Sequence, residues 1–402
     1  MAIITVIGAG NAGQGIAADC KLGGAEEVRL YEFPYFTDKV KAIEKTKRIE
    51  LTGLEMGVKG FKRNGTAVVD MVTHDLAEAV KGANHILITM QAIGFEKFFK
   101  ELAPLLEDGQ MIGILPDNFG STILRKVMRE MGINTKVIIA GFSSQPYCVR
   151  IKDYNNFETE TNVVDLTCRE TCLRVDTLPS SDYEEYRKHL SEIPAFDSLE
   201  FDHAKTVIDV GFSNVNALVH VPCVLMNAGA IENWGVVDNF GSKDLYYDIY
   251  AYGCCESVGL MQWAFYEEAH KIVDAYGLDM VKEEKDVFQS RLGVIGQMFY
   301  GEDYRQPFTT SIDTSTWLPA PKGARFTLKS RYLTEDVPIG CCSFVSFARL
   351  AGVETPIIDC MIKLASVIMD TDYLKVGNNL ATFGLDGMTM DEILRYLRTG
   401  ER

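Results

Sequence analysis

Residues 1–20 read MAIITVIGAGNAGQGIAADC, with glycines at positions 8, 10 and 13 directly behind a short apolar run. The run Ile3–Ile7 has the length of one buried strand, and a helix-like pattern resumes at Ala12. The glycines therefore fill a strand-to-helix turn, where backbone N–H groups can gather a phosphate. In such a Gly-x-Gly-x-x-Gly turn the first glycine permits the bend and the second admits a pyrophosphate close to the backbone. The third lets the helix lie against the strand. Asn11 and Ala12, at the head of the helix, belong to the same expected site. Glu32 closes the next strand candidate. A carboxylate there suits a ribose 2′-hydroxyl and repels a 2′-phosphate, and Phe33-Pro34-Tyr35 rather than an arginine follows it, so the pattern predicts NAD over NADP.

Further strand candidates lie at 28–31, 84–90, 109–116, 135–141 and within 163–179, separated by amphipathic stretches such as EKFFKELAPLLE. Short buried-type strands alternating with helices predict a mostly parallel sheet covered on both faces. The stretch SDYEEYRKHL reads as the closing helix of a Rossmann domain over residues 1–195. Within it, Pro116-Asp117-Asn118-Phe119-Gly120 and Ser144-Gln145-Pro146-Tyr147 fall in loops at the carboxyl ends of strands, where open α/β sheets bind ligands. Asn118, Ser144 and Tyr147 are accordingly candidates for the substrate pocket, with plain turn chemistry as the other reading.

From Asp202 onward strand-type alternation disappears and long helical patterns take over. The fold class is thus α/β, an N-terminal Rossmann dinucleotide-binding domain followed by an all-helical domain over 196–402. The Thr-, Pro- and Gly-rich stretch 300–326 is expected to wrap over the region between the domains. A length of 402 residues suits two cores, and 47% hydrophobic with 24% charged residues is ordinary for a globular protein. A formal charge of −16 argues against nucleic acid or an anionic membrane as partner. The chain begins in a strand with no export signal, and no apolar segment reaches membrane-spanning length, so a cytoplasmic protein is expected. Cys254-Cys255 and Cys341-Cys342 are adjacent pairs, and Cys168 and Cys172 lack metal-ligand spacing. Buried thiols and no metal site are expected.

The stretch DVGFSNVNALVHVPCVLMNAGAIEN carries a second signal: Asn216, His220 and Asn227 fall on one helix face. Asparagines inside a helix are unfavourable unless their amides have something to bind. Pro222 deprives the Leu218 carbonyl of its helical donor and predicts a kink beside the histidine. The set reads either as a site or as a core histidine with its hydrogen bonds satisfied.

These motifs together resemble the opine (octopine/nopaline) dehydrogenase family, which pairs a Rossmann domain with a helical domain bearing an Asn-x-x-x-His helix and a downstream Asn-Ala-Gly. Here they stand as Asn216-Ala-Leu-Val-His220 and Asn227-Ala228-Gly229. The family's Arg-Tyr-x-x-Glu-Asp-x-Pro appears as Arg331-Tyr332-Leu-Thr-Glu335-Asp336-Val-Pro338, followed by Gly352-Val-Glu-Thr-Pro356 and Asp372-Tyr373. The resemblance spans essentially the whole chain. It implies a catalytic dyad of His220 and Asp336, with Arg331 reaching the cofactor pyrophosphate across a cleft between the domains. It implies substrate-side roles for Asn216 and Asn227. Ala217 replaces a proline common in the family, and Ile339-Gly340-Cys341-Cys342 replaces a common Gly-Leu, which leaves substrate identity open.

The implied reaction condenses the amine of an amino acid with a 2-oxo acid, pyruvate foremost, and reduces the imine with NADH. Amino acid and 2-oxo acid are thus the expected small-molecule partners, and a homodimer is the assembly to be tested. Two other readings stand beside this one. A reductase of a 2-oxo acid or ketopantoate-like substrate would use a lysine and glutamate in the helical half, and no comparable lysine lies on the His220 face. A non-catalytic NAD-binding protein would keep the glycines without needing His220, Asp336 and Arg331.

Overall fold

The computed structural model describes residues 2–53, 63–242, 246–291, 293–294, 296, 307–310 and 325–402. The chain divides into two units: Met1–Gly211 with Leu394–Arg402, and Phe212–Ile393. The border expected at 195 falls inside the first unit because residues beyond it still serve the first sheet, and the last residues return there as well. The stretch SDYEEYRKHL does contain a helix, Tyr183–Arg187, but it does not close the unit.

The first unit is built on an eight-stranded sheet. Its strands are β1 (Ile3–Ile7), β2 (Glu27–Tyr31), β5 (Met71–Thr73), β6 (His85–Ile88), β7 (Met111–Ile114), β8 (Ile138–Phe142), β11 (Cys172–Thr177) and β12 (Glu200–His203). Across the sheet they run β12-β11-β8-β7-β6-β1-β2-β5. All neighbours are parallel except β11 on β8. β12 pairs Glu200–His203 with Cys172–Val175 of β11, which carries the unit past residue 195. β6 is buried at every position, as expected for a strand covered on both faces. Helix α1 (Asn11–Leu22) follows the glycine turn. α2 (Phe95–Leu102) buries Phe95, Phe98, Phe99 and Leu102, and α3 (Gly120–Glu130) follows β7.

A second sheet was not expected. Strands β3 (Arg48–Gly53), β4 (Gly65–Val68), β9 (Tyr147–Asn156) and β10 (Thr161–Arg169) form it in the order β4-β3-β10-β9. The stretch 163–179, expected to hold at least one strand, holds most of β10 and all of β11, one in each sheet. β9 carries only the alternation of a half-exposed strand over its first residues, a weaker signal than the continuous apolar runs of the first sheet.

The second unit is helical, with no strand among its described residues beyond one isolated bridge, Ser290 to Pro307. α4 (Asn216–Met226) is buried from Ala217 through Val224. α5 (Glu256–Ala275), α6 (Cys342–Ala351) and α7 (Pro356–Ile368) surround it. Rings of Phe212, Phe265, Phe344, Phe347 and Phe383 interlock in the core. The motif Gly352-Val-Glu-Thr-Pro356 is the α6–α7 turn. Gly352 takes φ +68 at the end of α6, Pro356 opens α7, and the Glu268 carboxylate of α5 accepts the N–H groups of Ile357 and Ile358. The last helix is α8 (Met390–Thr399).

Two expectations change here. Val207–Met226 is long and apolar enough to cross a membrane, contrary to the sequence reading, but 83% of it is buried within the protein, where its apolar surface serves the core. Cysteines are not uniformly buried: Cys172, Cys255 and Cys360 are exposed. Most of the loop-like stretch 300–326 lies outside the described residues.

Candidate active site

Two sets of residues are candidates for the chemistry, one in each unit. In the first unit Gly8 takes φ +95, a conformation L-residues rarely adopt. A Cβ on Gly13 would lie 1.7 Å from the Gly8 carbonyl oxygen, so only glycine lets α1 approach β1 this closely. At Gly10 the one atom within 4 Å of such a Cβ among the described residues is the Lys39 ammonium, at 4.0 Å. The turn is thus tight where helix meets strand and open where a phosphate would approach. α1 has no side-chain cap and no acidic residue in its first turn, so its leading N–H groups suit an anion. A dinucleotide fits this cradle. The Asn11 side-chain oxygen accepts the Ile151 N–H at 3.0 Å, so only its backbone is left to face such a ligand. Ala12 is half-buried in the same turn.

Glu32 directly follows β2 and is buried, its Oε1 accepting the Phe33 N–H at 2.8 Å. Burial pushes its carboxyl above the ordinary carboxylate range, against the N–H groups of Phe33 and Ala9 and the charge of Lys39, which pull it down. Lys39 is a component the sequence reading missed. It sits in the short turn Thr37–Lys39, and its carbonyl accepts from Gln14 at 3.1 Å and Asn162 at 2.7 Å. Two buried amides therefore tie its backbone to α1 and to β10. Asn162 lies on the second sheet, so no local pattern around Lys39 announces its position.

The three substrate candidates of this unit separate. Asn118 adopts φ +44 and Phe119 φ +63, two left-handed residues in succession at the carboxyl end of β7. Ser144 is half-buried near Glu170, whose carboxyl is raised well above its ordinary range by complete burial. Tyr147 belongs elsewhere. It is 3% exposed, its ring lies under the Arg169 guanidinium at 5.2 Å, and it packs against Gly15 of α1.

In the second unit α4 presents His220, and the wide helical turn Asp336–Cys341 presents Asp336 from its first position. His220 Nδ1 lies 2.7 Å from Asp336 Oδ2, and both residues are buried. A carboxylate can only accept, so the imidazole proton sits on Nδ1. His220 Nε2 lies 2.8 Å from the Tyr250 hydroxyl. The Tyr332 ring covers the imidazole at 4.0 Å between centroids. Neither tyrosine had been singled out as a site residue, although Tyr332 lies in the Arg-Tyr motif. Tyr250 has no signature at all.

Asn227 does not share the role of His220. Its Nδ2 donates to the carbonyls of Cys223 and Gly253, both at 2.8 Å, tying the end of α4 to the turn Ile249–Gly253 that carries Tyr250. The amide of Asn227 is spent on backbone. Asn216 opens α4 half-buried, its N–H accepted by Asn214 Oδ1 at 3.0 Å. α4 runs through Pro222 as one helix. Arg331 is exposed, and its Nε lies 3.2 Å from Glu335 Oε2.

Residues 203–369 match the family described as NAD/NADP octopine/nopaline dehydrogenase, alpha-helical domain. An opine dehydrogenase of Arthrobacter sp. (strain 1C) is 27% identical over 390 residues, covering 96% of this chain and 95% of its own length. The chain is similar to opine dehydrogenases along nearly its whole length. Its fold is that of an octopine dehydrogenase solved with NADH and L-arginine, at TM-score 0.69 and 19% identity over 100% of this chain and 99% of the other. The same enzyme has been solved with NADH and pyruvate. A yersinopine dehydrogenase solved with NADP+ also shares the fold, at TM-score 0.66 and 12% identity over 99% of this chain and 98% of the other.

Proposed function

We propose that this protein is an NADH-dependent opine dehydrogenase, joining an amino acid to a 2-oxo acid by reductive condensation and running the reverse oxidation. The observation that carries the reading is the His220–Asp336 pair at 2.7 Å on a helical unit that matches this family, together with a glycine cradle that fits a dinucleotide.

Bound NADH would supply a hydride to the imine carbon. The remaining chemistry falls to this chain. Gly8, Gly10, Gly13 and the first N–H groups of α1 would hold the pyrophosphate, with Lys39 as the nearby cation. Glu32 would meet the ribose 2′-hydroxyl and favour NADH. Arg331 is assigned to an anionic group, the pyrophosphate or a substrate carboxylate. His220, with its tautomer fixed by Asp336, would take a proton from the incoming ammonium and return one to the hydroxyl that leaves as water. Asn118 and Ser144 would contact the 2-oxo acid. The 2-oxo acid is pyruvate in this reading, and a homodimer and a cytoplasmic location belong to the same proposal.

The test follows NADH oxidation with pyruvate against a panel of amino acids and a control without amine. Oxidation that requires an amine and yields a secondary amine with two carboxylates is the expected result. Equal oxidation without amine would replace the reading with a 2-oxo acid reductase.

A further inference from the structure

His220 is 8% exposed, and both of its ring nitrogens are engaged. Nδ1 faces Asp336, Nε2 faces Tyr250, and Tyr332 covers the ring. A reacting molecule therefore cannot meet Nε2 while the phenol stays where it is. Tyr250 itself is only half-buried. The turn that carries it is fixed at both ends. Asp248 Oδ1 accepts the N–H groups of Tyr250 and Ala251 at 2.8 and 3.2 Å. At the other end Asn227 donates to the Gly253 carbonyl, and Cys254 Sγ lies 3.2 Å from Cys223 Sγ on α4. Such anchoring suits a group meant to stay rather than a side chain that swings aside.

We propose that Tyr250 is a catalytic residue, the proton carrier between His220 and the reacting atoms. This rests on the opine dehydrogenase reading and on the dyad within it. With His220 neutral, the phenol donates its O–H to Nε2. When His220 is protonated, Nε2–H donates to the phenol oxygen, and the phenol hydrogen turns outward.

In the condensation, the incoming ammonium first passes one proton through the phenol to His220; the free amine nitrogen then bonds to the 2-oxo carbon, and one of its two remaining protons moves to the former oxo oxygen, which becomes a hydroxyl. As the C–O bond breaks, that hydroxyl takes the phenol proton and departs as water. The phenol oxygen takes the Nε2 proton, and His220 ends neutral. No net charge is created on Tyr250. The same chain run in reverse removes the proton of the incoming ammonium.

The test is Tyr250→Phe in the full-length protein, which keeps the ring and removes the carrier. At saturating substrates kcat is expected to fall about 10²–10³-fold, the scale of a positioned acid. The KM for the 2-oxo acid and NADH affinity by fluorescence titration are expected to stay within about threefold, and the circular dichroism spectrum to be unchanged. The double variant Tyr250→Phe with His220→Ala is expected to be no worse than the weaker single one, because members of one relay are non-additive. If Tyr250→Phe keeps kcat within about threefold while His220→Ala is inactive, the phenol is only a placeholder and His220 acts directly. If both variants stay active, the dyad itself is wrong. Losses that multiply in the double variant would also overturn the relay.

Discussion

At the glycine turn the working parts are backbone. Gly8, Gly10 and Gly13 act by having no side chain, and the N–H groups they expose lie within one short stretch of chain. At His220 the working parts are side chains from distant segments: Asp336 lies 116 residues away along the chain and Tyr250 lies 30. One site is a local conformation and the other is a product of packing. Damage to each should therefore have a different signature. A fault in the turn should be felt as lost cofactor affinity, and a fault in the cluster as lost turnover with affinity intact.

The largest effect is expected at Gly13→Ala. A Cβ 1.7 Å from the Gly8 oxygen forces α1 away from β1, and NADH affinity should fall by about 100-fold or more with the loss of the phosphate cradle. Fluorescence titration checks it, with circular dichroism to confirm folding. Normal affinity would show that the turn does not hold the cofactor. Next in size is Asp336→Asn, which permits the wrong imidazole tautomer and should lower kcat/KM about 10²–10³-fold with NADH affinity unchanged. Steady-state kinetics would expose the assignment as wrong if turnover stayed near normal.

A smaller effect concerns the cofactor's ribose. Glu32→Ala should raise the ratio of NADPH to NADH efficiency by about tenfold, since it removes a carboxylate opposed to a 2′-phosphate while Lys39 remains. An unaltered ratio would move the discrimination away from Glu32.

The smallest effect is on stability alone. Asp117 accepts the N–H and Oγ–H of Ser121 at the start of α3, and complete burial pushes its carboxyl up to about 7. A carboxyl raised in the folded state binds its proton more tightly there than in the unfolded chain. Its contribution is present below about pH 4 and is lost as pH rises toward 7. Asp117→Asn should therefore melt below the natural protein at pH 5, with the gap narrowing by a few degrees at pH 8. A constant gap in thermal melts across that range would show that Asp117 is not the group responsible.

The contrast also accounts for what was legible. The parallel strands are short continuous apolar runs, and the glycine turn is contiguous, so both stand out along the chain. The second sheet does not, because β3, β4 and β9 are partly exposed strands without continuous apolar runs, and β3 and β9 are joined only through β10. Lys39 reaches the turn only because Asn162, on β10, and Gln14 hold its carbonyl. Tyr147 was misleading for a related reason. It follows a loop at the carboxyl end of β8, yet its own strand turns it under Arg169. His220 and Asp336 were readable through family motifs rather than spacing. Asn227 shared the motif and the helix, but its amide is used to hold the turn beneath Tyr250.

The division of labour between the two regions meets its most direct test in His220→Ala, with NADH affinity and steady-state turnover measured on the same preparation. The account predicts that NADH titrates normally while kcat/KM falls about 10²–10⁴-fold, the scale for removal of a positioned acid/base group. Near-native turnover in a folded His220→Ala protein would contradict it and return His220 to the role of a core histidine with its hydrogen bonds satisfied.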